Sequence, residues 1–279
     1  MGETLVLVLR SRRFMIGAIL FLAVLCFGVI GPRVTDRNPF QMVGGLFNPP
    51  SEKAILGTDN LGRDVFTQLM YGTGTSLLIG FVAGVVATGI GVTIGAVAGF
   101  KGGFVDELLM GITNVLITIP AIVVLILLSI AIKSRSAVVM GVIIGITSWP
   151  WTARAVRAQT SSLKTREHVD LARISGYTTV ELIVKEILPY MFSYIFMAFI
   201  LQFSAGITNE ATLSMLGLGP YQTVSLGVML HWALLWEAVR TGAWWAFLPP
   251  VVFLAVASFS LMLINAGLDE VFNPRLRKS

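Results

Sequence analysis

Six apolar runs of near-membrane length, separated by polar stretches, constrain this chain more than any other feature. They cover residues 14–30, 76–100, 107–132, 137–155, 189–205 and 244–266. A helix rises about 1.5 Å per residue, so roughly 20 residues cross a hydrocarbon core of about 30 Å. Lipid offers no partner to backbone amides, so such runs satisfy them internally as helices. The expected fold is therefore all-α, a polytopic membrane protein with about six transmembrane helices. Composition agrees: 55% of residues are apolar and only 13% charged, too few charges to cover a soluble surface. The net charge of +5 then reads as the basic bias of membrane loops and not as a nucleic-acid footprint.

Lys and Arg give the orientation. With a cytoplasmic N-terminus, seven of the 20 fall outside, namely Arg33, Arg37, Lys53, Arg63, Lys133, Arg135 and Arg240. The remaining thirteen fall inside, as the positive-inside rule requires, and both termini are placed in the cytoplasm. The first run follows Arg10, Arg12 and Arg13 and lacks a small-x-small cleavage site before Gly31-Pro32. It reads as a retained signal anchor, with a cleavable signal peptide as the rival. Cys26 lies in this run and is expected to be a small core residue.

A charged island at residues 166–189 lies between two apolar runs. Glu167 to Ser175 reads as a short helix with Val169, Ala172 and Ile174 apolar, and Gly176 follows where a left-handed cap is wanted. Thr178 and Glu181 have capping-box spacing, and Pro189 closes the segment as the next span begins. Two short helices around a sharp glycine turn are expected, held at the membrane surface. They form either a connecting loop or a surface made for a partner, and the pattern favours the partner.

Elsewhere the signals are narrower. Gly80, Gly84, Gly91, Gly95 and Gly99 in the second run predict close helix contact, within the chain or with a second membrane chain. Pro120 predicts a kink in the third run. Residues 33–75 read as a polar loop in which 56–64, LGTDNLGRD, has turn chemistry. Glu210 ends an apolar helix, where a carboxylate either faces water or a partner or lies at the interface. His231, Trp232 and Trp236 read as an interfacial helix, with His231 a polar neighbour. No phosphate-binding G-x-x-x-x-G-K-[ST] loop, metal-ligand cluster or nucleophile triad is legible, so no catalytic, metal or cofactor residue is expected in this chain.

Asp170-Leu171-Ala172, Gly176 and Ile187-Leu188-Pro189 resemble the EAA loop of ABC importer permeases. Here Asp170 stands for its Glu, Leu171 for its first Ala, and Ile187 is displaced by one place, with Glu186 in its slot. The LGTD-x-x-GRD block, with Tyr71-Gly72 and Ser76-Leu77 after it, resembles the C-type permease of the dipeptide/oligopeptide family. So do Glu210-Ala211 through Gly217-Leu218-Gly219 and the ending Asn273-Pro274-Arg275-Leu276-Arg277. Departures include Gly111 and Asn114, which replace a basic and an acidic residue beyond Asp106 and Met110, and Val224-Ser225-Leu226-Gly227 in place of P-S-W-G. Asp269 likewise stands where the family ending has Arg.

The resemblance implies a type I importer permease fold. Residues 1–75 would form an anchor helix and extracytoplasmic loop, and 76–279 a core of five spans with a coupling loop at 158–188. It implies ATPase coupling through Glu167, Asp170, Leu171, Ala172, Arg173, Gly176 and Glu181, and a translocation path near Asn209, Glu210, Ser214 and Met215. Expected partners are a homologous permease, two ATP-binding subunits carrying ATP and Mg, an extracytoplasmic solute-binding protein and lipid, in a prokaryotic cell membrane. Oligopeptides are the expected solute, with oligosaccharides or nickel as alternatives. An ion-gradient secondary transporter and a non-transporting scaffold stay open.

Overall fold

Helix α1, Arg12–Val34, follows a helical turn at residues 7–10 and has Ser11 as its cap, its hydroxyl accepting from the Phe14 amide. The structure is a computed structural model and describes residues 7–132 and 136–272. Asp64 then starts α2, Val65–Lys101, by accepting from the amides of Phe66 and Thr67. Gly102, at φ 68°, turns the chain into α3, Gly103–Thr118, and α4, Ala121–Ile132, follows it. Next come α5, Ala137–Leu163, and α6, Glu167–Ile174. The one-turn α7, Thr179–Glu181, continues as a π-helical stretch, Leu182–Ile187, and a 3-10 turn, Pro189–Met191. Then α8, Phe192–Leu213, passes through a second π-helical turn before α9, Leu226–Leu235, and α10, Trp244–Phe272. Among the described residues the only extended pairing is two isolated bridges, Met42 with Arg63 and Thr58 with Asp64.

Among the described residues four helical stretches are long and apolar enough to cross a membrane, and α3 with α4 makes a fifth if that pair counts as one span bent by 88°. The bend falls at Pro120, as its missing amide predicts. Helix α5 is long enough at 27 residues but is outside this set. Ser148, Thr152, Arg154 and Arg157 lower its apolarity, so length and composition alone mark four or five spans and leave the expected six unconfirmed.

Two expectations are corrected. Residues 65–75, expected as loop, form the first turns of α2, because Asp64 caps there and the polar Thr67, Gln68 and Thr73 are buried. Cys26 is exposed and not a core residue. A helix facing lipid is apolar on its outside too, so an apolar neighbourhood says nothing about depth. Asp106 has a charged partner despite the altered pattern after it: its Oδ1 accepts from Arg157 Nε of α5 at 3.0 Å, across 51 positions. Lys133, Arg135 and the ending 273–277 lie outside the described residues.

The core is organised on α2. A side chain on Gly80 would collide with Ile207 and Phe203 of α8, one on Gly84 would press on Phe199 and Phe203, and one on Gly91 would collide with Thr152 of α5. A Cβ on Gly99 would stand 2.6 Å from the Arg157 carbonyl oxygen. The glycine spacing thus serves contacts within the chain, bringing α5 and α8 onto α2 at backbone distance. The polar block at 56–64 is a knot around buried Asp59. Its Oδ1 accepts from the Leu61 and Arg63 amides, both at 2.9 Å, and its Oδ2 from Arg63 Nε at 2.7 Å and Gln68 Nε2 at 2.8 Å. Trp245 of α10 donates to the Thr58 carbonyl at 3.1 Å and ties the knot to the last span.

Glu210 is a second centre. It is fully buried near the end of α8. Its carboxylate accepts from Ser76 of α2 at 2.7 Å, Ser214 at 2.7 Å and Ser225 at 2.6 Å. Ser225 also caps α9 by accepting from the Val228 amide, and Ser76 accepts from the Leu226 amide at 3.1 Å. One side chain therefore fixes the start of α9 against α2 and α8.

Two stability predictions follow from these contacts. Gly99→Val should lower stability by about 1–3 kcal/mol, as overpacking does. Gly89→Ala, with nothing within 4 Å, should leave it unchanged or slightly raised. Glu210→Ala leaves three hydroxyls without their acceptor and should cost about 3 kcal/mol, Glu210→Gln clearly less. Thermal unfolding of the detergent-solubilised protein reads each.

Candidate functional site: an elbow and a trough

The island forms as its local signals dictate. Gly176 has φ 87°, which only glycine adopts without strain, and it ends α6. The Thr178–Glu181 capping box is complete: the Thr178 amide donates to the Glu181 carboxylate at 3.0 Å and the Glu181 amide to the Thr178 hydroxyl at 3.4 Å. Lys185 pairs with Glu181 at 2.9 Å, and Arg173 with Asp170 at 2.8 Å, both within their own segment. His168 stacks on Tyr190 with ring centroids 4.2 Å apart. That contact joins α6 to the foot of α8 and has no signal in the sequence.

Two faces of this elbow differ. Val169 is fully buried and packs in one cluster with Val156 of α5, Ala96 of α2, Leu182 and Ile187. Ala172 is packed against the same cluster. On the other face Leu171, Ile174 and Val180 are exposed at 66, 84 and 69%, beside exposed Glu167, Asp170 and Arg173. An apolar patch with a charged rim on an otherwise polar segment marks a contact surface.

A cavity of about 640 Å³ lies between α5, α8 and α10. Helix α8 contributes Tyr194, Met197, Ala198, Leu201, Gln202, Ala205 and Asn209. Their spacing is a single helical face about 22 Å long, most of the depth of a hydrocarbon core. Ser148, Trp151, Thr152 and Ala155 give the matching stripe of α5, and Asn265 and Asp269, one turn apart, that of α10. Gln202 Nε2 bridges α8 to α5 by donating to the Ser148 carbonyl at 3.0 Å and the Thr152 hydroxyl at 2.9 Å. The wall alternates hydroxyls and amides with small or aromatic surface, and among the described residues Asp269 is its one charged member.

Of the four expected path residues, Asn209 lines this trough. Glu210 and Ser214 face the buried hydroxyl cluster instead, on the neighbouring side of the same helix. Met215 is partly exposed, and its carbonyl meets His231 Nδ1 at 3.0 Å, so His231 is the polar neighbour its sequence position suggests. The reading of sequence missed Gln202 and Asn265. Each is a lone amide in an apolar run, and that intramembrane polarity was the available signal.

Comparison with known proteins adds an independent line. Residues 91–278 match the family model described as binding-protein-dependent transport system inner membrane component. A putative peptide transport system permease protein of Brucella suis is 34% identical over 273 residues, covering 96% of this chain and 90% of the relative. The dipeptide transport system permease protein of Bacillus subtilis is 33% identical, covering 96% and 84%. The oligopeptide transport system permease protein of Mycobacterium tuberculosis is 32% identical over 235 residues, covering 83% and 79%. With a family match over more than half its length, and relatives of this identity over most of it, the chain belongs to the inner membrane components of binding-protein-dependent transport systems.

Proposed function

We propose that this chain is one permease subunit of an ATP-driven importer that takes up oligopeptides. The observation that carries the reading is the two-faced elbow. Its inner face is locked to α5 and α2 through Val169, while Leu171, Ile174 and Val180 are left uncovered. Relatives named for peptide, dipeptide and oligopeptide transport support peptides over oligosaccharides or nickel.

In this reading an ATP-binding subunit covers the exposed face, and ATP with Mg is held and hydrolysed there. The permease itself performs no chemistry. A displacement of the elbow passes through Val169 and Val156 to α5, whose backbone touches α2 at Gly99 and whose Arg157 holds Asp106 at the start of α3. Close-packed contacts of this kind transmit displacement with little slack. The polar trough, walled by three helices, forms half of a path that a homologous permease closes. An extracytoplasmic binding protein delivers the peptide, and both termini with the elbow lie on the cytoplasmic side. Asp170, Arg173 and Glu181 shape the docking rim, Gly176 gives the turn its angle, and Asn209 lies on the path.

Ile174→Asp tests this. A charge placed in an apolar interface costs several kcal/mol. ATP hydrolysis stimulated by loaded binding protein, and peptide uptake, should both fall at least about tenfold, while the protein still inserts. Unchanged uptake and hydrolysis in proteoliposomes would remove the elbow from the coupling route.

A further inference from the structure

Resting on the importer reading, we propose that Asp269 selects solutes by charge, favouring peptides that carry extra ammonium groups as they cross the trough. Fifteen of the described residues line the trough, and none of these is Lys, Arg or His. Asp269 is its one formal charge, and among the described residues it has no ion-pair partner. One turn before it on the same helix, the carboxamide oxygen of Asn265 is buried and has no donor among the described residues. At this end the wall therefore offers a solute the Asp269 carboxylate as acceptor. Its central donor, Gln202 Nε2, is already engaged by Ser148 and Thr152.

The aromatic surface points the same way. Trp151 is 70% exposed and lines the trough with Tyr194. The faces of such rings attract cations and repel anions. Chain direction puts Tyr194, near the start of α8, and Asp269, near the end of α10, at the same end of the bundle. A divalent metal ion would want several hard oxygen ligands on one point, and a single carboxylate does not supply them. An organic ammonium needs only an acceptor, a nearby negative charge and an apolar or aromatic surface for its methylenes, which this wall provides. An anionic side chain passing the same point meets a carboxylate of like charge. The wall is thus a filter by sign, placed after the binding protein has made its own choice.

The test uses the complete importer in proteoliposomes, with binding protein preloaded with Ala-Lys-Ala, Ala-Ala-Ala or Ala-Glu-Ala, so that the binding protein's preference cancels. In the unaltered transporter, uptake should run in the order lysine, alanine, glutamate peptide. Asp269→Asn should lower the lysine-to-glutamate uptake ratio by about fivefold, the size expected for one partly solvated charge pair. Asp269→Glu should retain the ratio, and the alanine peptide should change least. An unchanged ratio in Asp269→Asn overturns the filter. So does an equal fall for all three peptides, which would place Asp269 at a subunit contact. Absence of ATP-driven uptake of every peptide by the unaltered transporter would overturn the importer reading itself and this proposal with it.

Discussion

Backbone-distance contact along α2 is what the rest of the structure depends on. In lipid, burying apolar side chains brings no gain over leaving them against acyl chains, so helices associate by packing and by internal polar bonds. Glycine at positions 80, 84, 91, 95 and 99 lets α8 and α5 approach α2 from two sides. With those helices drawn in, the polar groups they carry are forced to find partners inside the bundle. Gln202 finds Ser148 and Thr152, and Glu210 finds three serines. The trough is the space left where α5, α8 and α10 do not close on one another.

The same contact gives the elbow its leverage. Were α5 separated from α2 by long side chains, a displacement at Val169 would be absorbed by rotamer changes. Here the Arg157 carbonyl lies against Gly99, and the Arg157 guanidinium holds Asp106. The elbow's inner face, the foot of α5, α2 and the start of α3 therefore move together or not at all. Glu210 does the corresponding work at the other end, where it fixes α9 to α2 and α8. A rigid bundle with one open flank and one uncovered elbow is suited to swing as a body against partners on both.

Local features were legible in the sequence because their causes are local. Gly176 takes the left-handed turn, Thr178 and Glu181 close the capping box, and the chain breaks at Pro120. The glycine spacing announced close contact, though not whether it lay inside the chain. What stayed hidden is set by which residues meet in three dimensions. The Asp106–Arg157 pair spans 51 positions, and the stack of His168 on Tyr190 joins separate elements. An apolar run does not say which side meets lipid, so Cys26 was misplaced and the exposure of Ile174 was not foreseen. Asn209 and Glu210 are adjacent in sequence yet face the trough and the buried serines respectively, a division only helix rotation decides.

The account stands most directly on what touches the uncovered elbow. Cys26 is the chain's single cysteine, so a Cys26→Ser background allows one thiol to be placed at Ile174 and a second, as control, at exposed Phe104. Thiol crosslinking in the assembled importer should join the Ile174 position, and not the Phe104 position, to a subunit that hydrolyses ATP. Failure to join any such subunit at Ile174, while ATP-driven uptake continues, would contradict the account.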